Sequence, residues 1–459
     1  MTLSEPVGTF ETSEDHADIG RLISLALPCP ELTIAAFLRH AHGSPRFCWE
    51  SSRDDMAFAG AGVALELSAW GQTRFDDIEQ QARQLFAGSV MLGEDLPLAA
   101  PRLFGGFSFQ DDFVPDQAWA DFLPAHFVLP HFQLVRAQGQ VWLTINAQIG
   151  RDEDPNMLLP ELRAALEAKR IQLNTEMSAL ASSESTSSEL HYPLVYEEWA
   201  RTIGELTARM KVGELNKVVL ARVAEAHFQQ APDIDYALAY VAARYPGTYR
   251  FLFEPRTGDA FYGATPELLV RVQDRQVETM ALAGSAPRGR NSDEDDLLGA
   301  ELLRSPKDRY EHQIVIDSIV REWQSQLQFM QVGETSLLKL SNIQHLHTPI
   351  SGVLREPQTA LQMVKRMHPT PALGGDPRAV ALVAIHDAEP VTRGWYAAPI
   401  GYIDRNLNGA FAVAIRSAVI QNQRAWLYAG VGLVAQSDPQ REWDETILKF
   451  KPMLESCRV

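Results

Sequence analysis

Two stretches of this chain read as β-hairpins. Tyr249-Arg250-Phe251-Leu252-Phe253 is followed after a short polar turn by Ala260-Phe261-Tyr262, and Ile400-Gly401-Tyr402-Ile403 by Ala410-Phe411-Ala412-Val413-Ala414-Ile415. Strands joined so closely pair antiparallel, because a parallel neighbour needs a crossover of about a dozen residues or more. Further strand-like runs bounded by proline and glycine lie at 46–50, 57–65, 105–109 and 141–145. Helical patterns cover 155–179 and 196–212, and no tandem repeat is visible. Short-turned strands with helices interspersed point to an α+β fold built on large, mainly antiparallel sheets rather than a doubly wound parallel sheet. The serine-rich stretch 178–190 reads as a linker or exposed loop between an N-terminal part, 1–177, and a longer part, 191–459.

The 459 residues, 46% hydrophobic and 22% charged, suffice for a large core. A formal net charge of −18 argues against nucleic acid or an acidic membrane surface as partner, since both require a basic face. Small anionic substrates would need local positive charge. The opening residues Met1-Thr2-Leu3-Ser4-Glu5-Pro6 carry neither a basic patch nor an apolar core, and no uncharged apolar run approaches the roughly 18 residues of a membrane span. A cytoplasmic protein is expected. Cys29, Cys48 and Cys457 are odd in number and widely spaced, which fits a reducing compartment and lacks metal-ligand spacing.

Lys217 stands out among the chemistry-bearing residues. Its neighbours, from Glu214 to Arg222, alternate like a half-buried strand, and a lysine in apolar surroundings tends to lose its proton and become a base. Glu267 follows a proline in Gly263-Ala264-Thr265-Pro266-Glu267-Leu268-Leu269. In the helical stretch 306–317, Asp308 and Glu311 share one face. Near the C-terminus, Ser437-Asp438-Pro439 reads as a cap followed by proline at the first helical position, and Glu442, Glu445 and Lys449 then share a face. Oxygen-only ligands on two helices suit Mg²⁺, although acidic pairs are also ordinary features of solvated helix faces.

The glycines in Gly430-Val431-Gly432 and Gly284-Ser285 either let backbone N–H groups approach an anion or mark plain turns. A dinucleotide fingerprint at Gly430 is excluded, because the chain ends before the second strand and acidic residue it needs. Asp404-Arg405-Asn406-Leu407-Asn408-Gly409 looks like the start of a calcium loop, but Ile415 stands where a bidentate glutamate is required, so it reads as a hairpin turn. His345 and His347 would share a strand face without a third zinc ligand nearby. Arg416, at a strand end, could clamp a carboxylate or simply be exposed.

Together these segments resemble the chorismate-utilising enzymes, and among them the isochorismate synthases. The resemblance is carried by LNKVVLAR around Lys217, GATPELL around Glu267, LAGSAPRG around Gly284, KDRYEH ending at His312, QHLHT around His345, AIR ending at Arg416, and AGVGLVAQSDPQREWDETILK ending at Lys449. It spans 200–454 in one consistent order, and RFCWE, AFAGAG and LFGGFSF extend it into the N-terminal part. It implies two large sheets packed together and flanked by helices, a site in a cleft beside that core, and a Mg²⁺ cofactor. By position it makes Lys217 the base that activates water and Glu267 the acid that protonates the departing C4 hydroxyl. Glu311 and Glu445 match metal ligands, with Asp308 and Glu442 supporting them or acting through water; at Asp308 the related pattern often has Glu. Arg416 and Tyr396 would hold the enolpyruvyl carboxylate. Gly284, Ser285, Gly430 and Lys449 would surround anionic groups, and His345 would lie near the ring.

The residue types suit that chemistry. Water adds at C2 while hydroxide leaves from C4, so a base and an acid are needed on opposite sides of the ring. Lysine near pKa 10.4 and glutamate near about 4.3 are poor base and acid until burial moves both toward neutrality. Anthranilate synthases, which use ammonia, usually carry glutamine where Lys217 stands, and aminodeoxychorismate synthases carry lysine where this chain has Ala283. Both positions favour water as nucleophile. No amidotransferase segment is visible, and a monomer or weak dimer is expected. The product would serve menaquinone or siderophore biosynthesis. The nearest rival is a salicylate synthase, which goes on to eliminate pyruvate. A glycoside hydrolase would use paired carboxylates but leaves Lys217 and Arg416 unexplained. A non-catalytic carboxylate-binding protein would not need Lys217 or Glu267.

Overall fold

The computed structural model describes residues 20–458 except positions 52, 54, 94, 95 and 176–186. Its strands form a 13-stranded and a 10-stranded sheet. Among the described residues every strand pairing is antiparallel except that of Arg21–Pro28 with Val90–Leu92. The expected α+β architecture is therefore present. Both hairpins form: Tyr249–Arg256 pairs with Asp259–Thr265, and Pro399–Asp404 with Gly409–Val413. In the second turn the Asp404 carboxylate accepts N–H bonds from Asn406 and Asn408, which does the work a bound cation would do in a calcium loop.

The chain passes repeatedly from one sheet to the other. Met56–Ala61 lies in the larger sheet and Leu65–Ala69 in the smaller, so the run 57–65, which reads in sequence as one strand, is two. The break falls at Gly62, whose φ of +65° turns the chain out of the first sheet. Similar crossings join Asp259–Thr265 to Leu268–Gln273 and Gly409–Val413 to Ser417–Gln421. The first brings Glu267, and the second Arg416, to the seam between sheets.

Alternation along the strands builds two cores. Phe47 and Trp49 point into the layer between the sheets, while Cys48 points to the other face of the larger sheet. The inter-sheet layer is aromatic: the fully buried Phe104 meets Phe47, Phe58 and Phe253 at ring-centroid distances of 6.4, 6.1 and 6.2 Å. The second core lies under the helices Ile34–His40, Leu159–Leu173, Ile234–Arg244 and Pro439–Ser456. Their starts are set locally, by Thr33 capping the first, Asp233 the third and Asp438 the fourth, the last with Pro439 in the first turn.

Two boundaries differ from the sequence expectation. Of the helix expected over 155–179, positions 176–179 lie outside the described residues, and the rest is a 3₁₀ turn, Pro155–Leu158, followed by Leu159–Leu173, which caps at Asn174. Of the serine-rich stretch 178–190, positions 178–186 lie outside the described residues, and Ser187–His191 is an edge strand against Lys217–Phe228. The three cysteines are free and buried. No helix among the described residues is long and apolar enough to cross a membrane.

Candidate active site

A cleft of about 740 Å³ opens where the two sheets meet the helices Pro306–Trp323 and Pro439–Ser456. The first helix starts at Ser305, whose hydroxyl accepts the Asp308 N–H and donates to the Asp308 carboxylate. This fixes the turn that carries Asp308 and Glu311 into the cleft, and the Asp438 cap does the same for Glu442 and Glu445. Both acidic pairs are therefore inward-facing and not solvated surface.

Each of three carboxylates meets a lysine. Lys217 Nζ lies 3.0 Å from Glu311 Oε1, Lys307 Nζ 2.7 Å from Glu442 Oε1, and Lys449 Nζ 2.6 Å from Glu445 Oε1. Burial raises the Glu442 and Asp308 carboxyls above their usual range, and neighbouring carboxylates push the same way. Burial would also raise Glu445, but Lys449 outweighs it and holds the group low. No three Asp, Glu, His or Cys side chains among the described residues are gathered closely enough to hold an ion unaided. The donor set is nonetheless oxygen-only and drawn from two helices, which fits a hard divalent cation that completes its shell with substrate and water oxygens.

Lys217 is fully buried beneath this end of the cleft and does not line it. Its contact with Glu311 is an ion pair by distance but lacks the alignment of a hydrogen bond. Gly432 makes room for the pair: a Cβ there would lie 2.0 Å from Glu311 Oε1 and 3.0 Å from Lys217 Cε. Gly430 likewise leaves space for the Tyr396 hydroxyl, and its carbonyl accepts a 2.7 Å bond from Lys449. These glycines thus act by the absence of a side chain. Gly284, at φ +77° in a bulge of the strand Gln276–Pro287, sits against Asp308 in the same manner.

Glu267 lines another wall, 4% exposed, with its N–H on the Thr265 hydroxyl and its carbonyl accepting from Val413. Burial pushes its carboxyl up to about 8, against the opposing pull of Lys217 and Lys449. Near it, Arg416 adopts φ +51°, and its Nη2 donates to His345 Nε2 at 3.1 Å. Because arginine only donates, His345 must accept through Nε2 and carry its proton on Nδ1, which faces the Ser285 hydroxyl at 3.0 Å. Burial and then Arg416 hold His345 well below its usual value, so it is neutral. Arg416 Nη1 is buried without a hydrogen-bond partner. Tyr396, stacked on Tyr428 at 5.1 Å, lines the cleft beside it. Such an arginine is ready to receive a carboxylate.

The strand Lys217–Phe228 is held in an unusual way. The strand Arg424–Leu433 pairs along one edge, whereas among the described residues the other edge meets strands only at its two ends, Gly375–Asp376 and Ser187–His191. Between them the buried pair Glu389–Arg393, 2.6 Å apart, stands in for a strand: Ala221 N–H donates to Glu389 Oε1, and Arg393 Nη2 donates to the Val219 carbonyl. Further along, Arg222 donates to the Thr446 hydroxyl at 2.6 Å and lies 3.4 Å over the Trp443 ring, tying the strand to the helix of Glu442 and Glu445. Sequence reasoning missed Lys307, Glu389, Arg393 and Arg222. Lys307 was signalled by its place beside Asp308; the other three carry no local signal, because their partners are distant in sequence.

The family described as chorismate binding enzyme matches residues 9–458. Isochorismate synthase MenF of Bacillus subtilis (strain 168) is 34% identical over 418 residues, covering 89% of this chain and 87% of its own. The salicylate biosynthesis isochorismate synthase of Pseudomonas aeruginosa is 35% identical over 419 residues, covering 90% and 85%. Among solved structures, the menaquinone-specific isochorismate synthase MenF of Escherichia coli superposes with a TM-score of 0.80 at 24% identity, covering 96% of this chain and 95% of the other. Anthranilate synthase component I of Streptococcus pneumoniae TIGR4 has the same fold, with a TM-score of 0.68 at 20% identity over 88% and 93% of the two chains. With a match that runs over nearly its whole length, this chain belongs to the chorismate binding enzyme family.

Proposed function

We propose that this protein is an isochorismate synthase, converting chorismate to isochorismate by adding water at C2 as the C4 hydroxyl leaves. The observation that carries the reading is Glu267, a buried carboxyl in the cleft whose proton is retained up to a pH of about 8. A general acid at neutral pH needs that property. Relatives at 34% and 35% identity are named as isochorismate synthases, which supports the same substrate here.

In this reading Arg416 receives the enolpyruvyl carboxylate through its unpartnered Nη1, with Tyr396 beside it. His345 and Ser285 keep the guanidinium in place and lie near the ring. Lys217, acting as the base, takes a proton from water at Nζ as the oxygen bonds to C2. The ring double bond shifts, and Glu267 delivers its proton to the C4 oxygen, which departs as water. Glu311 and Glu445 would hold Mg²⁺, with Asp308 and Glu442 supporting it directly or through water. Bound there, the ion supplies Lewis-acid polarisation and orientation of the ring carboxylate. Lys449 and the backbone at Gly284 and Gly430 border the substrate's anionic groups. The protein is taken to act in the cytoplasm as a monomer or weak dimer without an amidotransferase subunit. Its product would enter menaquinone or siderophore biosynthesis.

The test is chromatographic product analysis after incubation with chorismate, with and without Mg²⁺ and with added ammonium. Isochorismate formed only with Mg²⁺ is expected. Salicylate with pyruvate would replace the proposal by the synthase that eliminates pyruvate, anthranilate by an ammonia-using reaction, and no conversion by a carboxylate-binding role.

A further inference from the structure

A second cleft, of about 970 Å³ and open to solvent, lies on the face of the larger sheet turned away from the inter-sheet core. Its apolar walls come from two helices: Ile34, Ala35 and Leu38 on Ile34–His40, and Leu238, Ala239 and Ala242 on Ile234–Arg244. The sheet side contributes Cys48, Glu50, Arg136 and Arg250. The Glu50 carboxylate is shared by two guanidiniums, Arg250 at 2.9 Å and Arg136 at 3.2 Å. Arg39, also in the lining, has no ion-pair partner among the described residues, and its Nε is buried without an acceptor. The other lining carboxylate, Asp235, is engaged by Arg46 at 2.9 Å.

Three guanidiniums, those of Arg39, Arg136 and Arg250, therefore line the cleft against one carboxylate, Glu50, that Arg46 does not engage, and Glu50 pairs with only two of them, on a chain whose net charge is −18. A buried donor without an acceptor is costly, and an anion that supplies the missing acceptor gains directly from it. A phosphate would satisfy the charge but leave the helix walls wet, whereas a carboxylate on a ring satisfies both.

The helix Ile234–Arg244 also connects this cleft to the catalytic one. Its far side carries Val241, which with Tyr245 just beyond the helix packs on Ala264, and Tyr240, which donates to Glu455 of the C-terminal helix at 2.6 Å. Ala264 N–H in turn donates to the Arg416 carbonyl at 3.0 Å. We propose that this cleft is a second ligand site, for a small carboxylate with a compact apolar body, and that its occupation is felt at Arg416 through the helix Ile234–Arg244.

Benzoate is the probe, with benzyl alcohol as its uncharged counterpart, titrated calorimetrically into the full chain. Two variants address the site by different means: Arg39→Ala removes the unpaired cation, and Ala239→Trp fills the space between the helices. Benzoate should bind the parent protein, benzyl alcohol should not, and each variant should weaken benzoate about tenfold or more. Saturating benzoate should change the KM for chorismate by about twofold or more in the parent protein. That change should vanish in Arg39→Ala, whose basal turnover stays as in the parent. Equal benzoate affinity in all three proteins would put the probe in the catalytic cleft alone and overturn the proposal. So would the absence of binding at millimolar benzoate, or binding that leaves KM unmoved. The calorimetric arm does not depend on which reaction the catalytic cleft performs, so its failure is separable from failure of the isochorismate synthase reading.

Discussion

Glu267 is the residue whose environment most directly sets a measurable property. Its carboxyl is raised to about 8 by burial, so its proton is present at neutral pH and lost as pH rises through that value. Turnover should accordingly fall on an alkaline limb near pH 8. Glu267→Gln should lower kcat by about 10²- to 10⁴-fold and abolish the limb. An unchanged limb in that variant would assign it to another group. Lys217→Ala should likewise reduce kcat by about 10²-fold or more while chorismate still binds, and a near-parental rate would remove Lys217 from the mechanism. Lys217 was legible in sequence because an ammonium inside an apolar strand is conspicuous. Its pairing with Glu311, and the need for Gly432 to accommodate both, was not, since the three residues meet only when two strands and a helix converge.

At the scale of elements, the Lys217 strand depends on a side-chain pair where a neighbouring strand is missing. Glu389→Gln keeps an acceptor for the Ala221 N–H but leaves the buried Arg393 without its counter-charge. Breaking a buried pair in this way costs about 3–5 kcal/mol, so the denaturation midpoint should drop clearly. Replacing both members with apolar residues should restore much of that stability but not the turnover, because the Ala221 N–H and the Val219 carbonyl then lose their partners. Recovery of full turnover in the double variant would show the pair to be structural filler. The two hairpins and the helix starts at Pro306 and Pro439 were legible here because caps, prolines and turn residues act over a few positions. The split at Gly62 was missed because 57–65 stays apolar across the crossing, and hydrophobic pattern does not reveal which of two sheets a strand joins.

At the scale of the whole molecule, the inter-sheet aromatic layer holds the two sheets in register and so sets the distance between Glu267 and Arg416 on the seam and the helices opposite. Phe104→Ala should destabilise the fold by about 3–5 kcal/mol, read as a lowered thermal midpoint. A shift of under about 1 kcal/mol would mean that the layer collapses around the vacancy. Light scattering should report a monomer or weak dimer, and a stable higher oligomer would contradict that expectation. The resemblance to the chorismate-utilising enzymes marked the residues from Lys217 to Lys449 as the expected site, whereas the sequence alone determined the antiparallel, mixed character of the fold and the helices starting at Pro306 and Pro439. Those features rest on turn chemistry, capping and side-chain periodicity, which act within a few residues. Tertiary structure alone decided that the acidic helix faces point inward, that each of three carboxylates meets a lysine, and that Glu267 is buried deeply enough to keep its proton. Burial and long-range charge pairing are properties of surfaces brought together across hundreds of residues, so no local pattern encodes them.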